Sequence, residues 1–275
     1  MQGSKRFSGD GNVYHWCHSD HGSNIARSAL LAVEKWLYEL MDAEDSVDGW
    51  IETIIQMSTS EAFLGLLGQV GRYRERLFAG VLRPLLLTPD FYWLERVYES
   101  QRGLMGGVRA MSLADGRWFS EAASQWNSMP HRRAQVTDVA AHLLHFDKDT
   151  RTAILDARKE WENLAQKSGG PDSIRLQQLI AFFDPANWTR IELPNDVIAH
   201  RFDPPAHLLP PAEETERHRL KWLLLTRPMD CWQRLTEKKP LLETEITVYL
   251  DQAKSLQRLD PIGAEPDMKQ QIADS

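Results

Sequence analysis

The sequence predicts an all-α fold, an α-solenoid of HEAT-like stacked helix pairs, with one Pro-rich irregular segment able to hold a short β-hairpin. Three observations carry this. Apolar residues recur at three- and four-residue spacing through most of the chain, the period of an amphipathic helix. The breaks between these units are a few residues long, and short connections make antiparallel helix neighbours. Strand-like alternation is confined to one proline-rich stretch. No fixed internal period runs through the chain; HEAT-type repeats are degenerate, and the rival reading is an irregular globular helical domain.

The lead-in, residues 1–22, holds four glycines and mostly polar residues, with Phe7, Val13, Tyr14 and Trp16 as apolar anchors. It reads as a loop. A helical region follows over 23–101. Ala26, Ala29, Leu30, Val33, Leu37, Leu40 and Met41 form the stripe of its first helix, and Ser23 or Asn24 offers an N-cap oxygen. SVDGWIETIIQM, TSEAFLGLLGQVGRY and ERLFAGVLRPLLL continue the pattern, the last interrupted by Pro84. TPDFYWLERVYES opens at Thr88 with Pro89 at the first helical position, where a missing N–H costs nothing.

Residues 102–117 are Gly-rich and read as a linker. Helical pattern resumes over 118–183, in FSEAASQW, HRRAQVTDVAAHLLHF, TRTAILDARKEWENLAQ and IRLQQLIAFFD, with KSGGPDS as a break. Residues 184–211 hold six of the fourteen prolines, and TRIEL and VIAHRF can pair as a hairpin. C-terminal helices over 212–258 and a polar, frayed tail over 259–275 complete the expected organisation.

At 275 residues the chain can bury a sizeable core. Its net charge of -7 argues against non-specific binding to nucleic acid or anionic membrane. The two cysteines, Cys17 and Cys231, form no disulfide framework and fit a reducing compartment. The first dozen residues lack the apolar core of a secretory signal, and no run of eighteen apolar residues occurs. A cytoplasmic, non-membrane setting is expected. Ten tryptophans, among them Trp36, Trp50, Trp93, Trp161 and Trp222, suit broad helix-on-helix contacts and are expected in the core.

Two clusters bear side chains suited to metal. YHWCHSDHGSN places His15, Cys17, His18 and His21 in the pattern HxCHxxH. All four are zinc-ligand types, but structural zinc sites use ligand pairs a dozen or more residues apart, and no second pair follows. The better expectation is a turn-rich approach to the first helix. In TDVAAHLLHF, Asp138, His142 and His145 share one helix face, which resembles half of a carboxylate–histidine site. Val136, Val139, Ala140, Leu143 and Phe146 are expected to form the buried side, leaving that trio in solvent.

No phosphate-cradling GxxxxGK[ST], nucleophile elbow GxSxG, HExxH or GxGxxG occurs, and no cofactor is expected. Basic residues cluster at His131, Arg132 and Arg133 and at Arg217, His218, Arg219 and Lys221; the second cluster is interleaved with acids. A nucleic-acid groove would need such cations aligned along one surface.

The segment from SDHGSNIARSALLAVEKWLYEL through TSEAFLGLLGQVGRYRERLFAGVLRPLLLTPDFYWLE resembles the helical regions of large bacterial ATP-binding proteins, similar to the STAND-type NTPases. The resemblance covers about residues 14–95 and implies a scaffold or sensor arm whose nucleotide-binding module lies elsewhere. It carries over no catalytic residue. The expected function is a non-enzymatic helical scaffold that binds another protein. The alternatives are an enzyme using the histidine clusters and a nucleic-acid-binding solenoid.

Overall fold

The computed structural model describes residues 5–9, 11–17, 23–105, 116–193 and 197–209; for 100–105, 116–120, Leu193, Val197 and Cys17 the backbone alone is described. The chain divides into two compact units, Met1–Leu208 and Leu209–Ser275. The described helices and strands all belong to the first unit. The expected C-terminal helices, the tail, Trp222, Cys231 and the basic cluster at 217–221 lie outside the described residues, as does most of the Gly-rich linker.

Most of the described chain is helical. In order come α1 (Gly11–Tyr14), a 3-10 turn (His15–Cys17), α2 (Asn24–Asp42), α3 (Asp48–Met57), α4 (Glu61–Tyr73), α5 (Arg76–Ala79), α6 (Arg83–Leu86), α7 (Pro89–Met105), α8 (Gly116–Ser128), α9 (Pro130–Arg133), α10 (Val136–Phe146), α11 (Lys148–Lys167) and α12 (Gly170–Phe182). Strands β1 (Trp188–Leu193) and β2 (Val197–Phe202) then pair antiparallel, Trp188 opposite Phe202 and Ile191 opposite Ala199. The hairpin expected of TRIEL and VIAHRF is present. Among the described residues no helix is long and apolar enough to cross a membrane.

Local chemistry sets the boundaries. Ser60 caps α4 by accepting the Ala62 N–H at 3.3 Å, and Asp147 caps α11 by accepting the Thr150 N–H at 2.7 Å. Ser23 occupies the N-cap position of α2 without a side-chain cap bond. ERLFAGVLRPLLL becomes α5 and α6, because α5 stops at Ala79 with Gly80 as its C-cap and Pro84 sits in the first turn of α6. HRRAQVTDVAAHLLHF is also two helices, because Ala134 and Gln135 are extended between α9 and α10. Gly170 turns the chain from α11 into α12 with a φ of 60°, a left-handed conformation that glycine adopts without strain. The described part of the expected lead-in loop is more ordered than its composition suggests, since it holds α1 and the 3-10 turn. Ser8 accepts the Glu61 N–H at 3.1 Å and donates to the Thr59 carbonyl at 2.6 Å, tying the N-terminal segment to the start of α4.

The core gathers around α4. Leu66, Leu67 and Val70 on that helix are fully buried with Tyr14, Leu37, Met41, Ile51, Phe78 and Phe91 from its neighbours. The close approach depends on glycine. A Cβ at Gly71 would run into the Phe78 ring, and one at Gly68 would sit 2.8 Å from the Glu95 carboxylate. The α10–α11–α12 run, by contrast, packs in chain order, with Ile154, Trp161 and Phe183 on its inner side. Trp161 donates its Nε1–H to the Leu87 carbonyl at 3.2 Å, and Trp188 donates to the Phe182 carbonyl at 2.6 Å to hold the hairpin.

The expectation that the tryptophans are core residues holds for Trp161 and fails at three others. Trp36, Trp93 and Trp50 are 37%, 37% and 51% exposed. Phe146, expected inside, is 62% exposed at the last residue of α10.

Candidate functional site

Two features stand out on α2, one inside and one outside. On the inner face, Arg27, Leu30, Glu34, Leu37, Tyr38 and Met41 are buried. Glu34 thus sits in the middle of an apolar stripe, where a lone carboxylate would be very costly. It is met by Arg132 of α9 in an ion pair and by the Tyr38 hydroxyl, which donates to the same Glu34 oxygen. Burial drives the Glu34 pKa above the ordinary carboxylate value, and the Arg132 guanidinium offsets only part of that rise. Burial and the neighbouring Glu34 carboxylate hold the Tyr38 phenol well above its usual range, so it stays a donor.

A second buried pair lies between α4 and α7. Arg72 binds Glu95, and the Tyr14 hydroxyl donates to the other Glu95 oxygen. Desolvation alone would lower the Arg72 pKa, but the facing Glu95 carboxylate raises it, so the guanidinium stays charged. Aromatic rings wall the Glu34 pair. Tyr38 stacks on Tyr73 at 4.1 Å, His131 meets both rings edge-on at 5.0 and 4.9 Å, and Arg132 lies over Trp126 at 4.6 Å. Burial, helped by Arg132 and Arg72, pushes the His131 pKa down to about 4. The ring is therefore neutral at pH 7. Two cations balance two anions in this lattice, which joins α1, α2, α4, α7 and α9. Its geometry is that of a brace.

The outer face of α2 is apolar as well. Ile25, Ala29, Ala32 and Trp36, spaced by four, three and four residues, are all exposed. Val33 and Leu40 beside them are half-buried. With the buried stripe, apolar residues cover roughly 240° of the helix at about 100° per residue. The polar remainder is one narrow row of Asn24, Ser28, Lys35, Glu39 and Asp42. A soluble helix normally exposes a polar face as wide as its apolar one. On α3 the exposed Trp50 and Met57 and the half-buried Ile54 make a second row. The two rows meet where Trp36 and Trp50 touch edge to face, ring centroids 5.0 Å apart.

The residues singled out from sequence do not converge on a reaction centre. His15 is fully buried, between Tyr14 and Tyr98 at 5.6 Å from each ring, and so is no longer part of a polar turn. The Cys17 side chain and all of His18 and His21 lie outside the described residues. Asp138 and His142 are exposed, as expected. However, His142 Nδ1 sits 3.1 Å from Glu75, while His145 stacks flat on His200 of β2 at 3.9 Å and meets Trp188 edge-on. The helix face is thus split between two neighbours. Among the described residues, no group of three or more His, Cys, Asp or Glu could hold a metal ion. The basic cluster at 131–133 is not a surface patch: His131 and Arg132 are buried, and Arg133 alone of the three is exposed.

Sequence reasoning passed over Glu34, Arg72, Glu95 and the exposed tryptophan pair. For the charges a signal existed. Glu34 lies between Leu30 and Leu37, and Glu95 between Phe91 and Tyr98, at core positions of their own stripes. Comparison with family models, curated proteins and solved structures finds no match.

Proposed function

We propose that the chain is a non-enzymatic helical module that binds another protein, and that the α2–α3 face is its contact surface. One observation carries this reading: α2 is apolar on the side facing solvent, and that side is crowned by the Trp36–Trp50 pair. Tryptophan gives more binding energy per residue than other side chains and is enriched at binding hot spots. The braced interior supports the same reading. A surface held by buried ion pairs from four helices is pre-organised, so little ordering entropy is lost when a partner arrives. The chain-order packing of α10, α11 and α12 supports HEAT-like stacking for that part of the chain, beside a hub built on α4. The sequence resemblance supports a place as the scaffold or sensor arm of a larger NTPase, and the two cysteines support a cytoplasmic setting.

The test is photo-crosslinking in cells of the source organism. A benzophenone amino acid is placed at position 36, at position 50, or at the exposed Glu160 of α11 as a control. The expected result is one protein crosslinked from 36 and 50 and not from 160, which then binds the purified chain. Equal crosslinking from all three positions, or none from any, would refute the proposal.

A further inference from the structure

We infer that the element received by the α2–α3 face is a cationic amphipathic helix of the partner. The inference rests on the protein-binding reading and adds the chemistry of what binds.

The first argument is backbone satisfaction. The face is two rows of side chains on helices, Ile25 to Trp36 and Trp50 to Met57, and offers no sheet edge to pair with. A helix covering it keeps its own N–H and C=O groups bonded, where an extended segment would leave them to water. The row from Ile25 to Trp36 rises about 16 Å at about 1.5 Å per residue, which matches three turns of a partner helix.

The second argument is charge. Between residues 35 and 52 the exposed carboxylates are Glu39, Asp42, Glu44, Asp45, Asp48 and Glu52, and the exposed cation is Lys35. Lys35 pairs with Glu39, and Asp42 accepts the Tyr73 hydroxyl at 2.5 Å. Glu44, Asp45, Asp48 and Glu52 pair with no cation among the described residues. Glu44 and Asp45 occupy the α2–α3 turn, and at about 100° per residue Asp48 and Glu52 line the flank of α3 opposite the Trp50 row, so the acids border the apolar rows rather than interleave with them. A second copy docked with its two-fold axis near the α2–α3 turn would bring these carboxylates against their own equivalents, which repels. Nucleic acid and anionic lipid are disfavoured for the same reason. A helix with leucine-type anchors on one side and lysines or arginines on its flanks satisfies both halves of the surface.

The probe is an 18-residue fluorescein-labelled peptide with leucines at i, i+3, i+4, i+7 and lysines elsewhere. Its controls are the same peptide with glutamates for lysines, and a scramble of the first. Binding to the full chain is read by anisotropy at two salt concentrations, and sedimentation reports the oligomeric state. The expected result is selective binding of the lysine helix. It should weaken at least tenfold in Trp36→Ala/Trp50→Ala. It should also weaken about tenfold, with loss of most salt dependence, in Glu44→Gln/Asp45→Asn/Asp48→Asn/Glu52→Gln. Both variants should melt as the parent does. Equal binding of the three peptides, no effect of the tryptophan variant, or a dimer that needs Trp36 would each overturn the inference. If crosslinking from positions 36 and 50 captures a partner whose contacting segment is acidic or extended, the cationic-helix inference falls while the protein-binding reading stands. If positions 36 and 50 capture nothing, both fall.

Discussion

Replacing Arg132 by methionine keeps the length of the side chain and removes its charge. What remains is Glu34, fully buried, with the Tyr38 hydroxyl as its donor. Breaking one partner out of a buried pair costs about 3–5 kcal/mol, because the survivor is a buried charge without compensation. At about 1.4 kcal/mol per tenfold, the unfolding equilibrium should shift by roughly two to three and a half orders of magnitude. The loss should depend on pH in a defined direction. The folded-state pKa of Glu34 is already raised above 4.5 by burial, and losing Arg132 raises it further. A carboxyl whose pKa is raised on folding destabilises once the unfolded chain ionises, so the Arg132→Met penalty should be smaller near pH 4.5 than at pH 7. Adding Glu34→Gln removes the stranded charge, and the double variant should recover at least about 2 kcal/mol of the loss. Urea unfolding followed by tryptophan fluorescence and far-UV circular dichroism measures all three proteins. A single-variant cost below about 1 kcal/mol, or strict additivity of the two substitutions, would refute the brace.

Three further outcomes follow from the same interior. Gly71→Ala gains about 1 kcal/mol of helix propensity but forces a methyl into the Phe78 ring, an overpacking cost of about 1–3 kcal/mol; a net drop in urea midpoint is expected, and a rise would show that Phe78 can move aside. Tyr14→Phe removes the hydroxyl that donates to Glu95, a hydrogen bond to a charged group worth about 1.5–3 kcal/mol, and should lower Tm by several degrees in a thermal scan. Acidification should destabilise the fold through His131 and His145, whose pKa values are held down to about 4 in the folded chain, by burial first in each case. The unfolded chain takes up these protons near pH 6.5 and the folded chain refuses them. Their contribution to stability is therefore full above pH 6.5, falls as pH drops toward 4, and levels off below. His131 contributes at most about 3 kcal/mol. The more accessible His145 contributes less because solvent screens it. His131→Phe should flatten the stability profile between pH 4 and 6.5; an unchanged profile would count against a neutral His131.

Much of the helical architecture was legible because burial imposes a period. The Leu30–Leu37–Met41 and Leu66–Leu67–Val70 stripes face inward as their spacing implies, and Ser60 and Pro89 marked true helix starts. TRIEL and VIAHRF alternate at the period of a strand and form the paired strands β1 and β2. Periodicity was weaker at breaks: Ala134 and Gln135 are compatible with a helix, and tertiary packing bends the chain there. The functional surface was hidden for a different reason. Ile25, Ala29, Ala32 and Trp36 have the same spacing as a core stripe, and sequence cannot tell an apolar face that is covered from one that is bare. The buried charges escaped because each finds its partner far along the chain, Glu34 with Arg132 and Arg72 with Glu95. A residue at a core position reads as an anomaly until its partner is in place. His145 likewise looked solvated until β2 brought His200 onto its ring.

The most direct test of the central claim is the affinity of the crosslinked partner, purified, for the parent chain and for Trp36→Ala/Trp50→Ala, measured by calorimetry on proteins of equal Tm. Each central tryptophan of an interface is worth about 2 kcal/mol or more, so a loss of at least a hundredfold is predicted. Equal affinity in the two proteins would place the contact elsewhere and contradict the account.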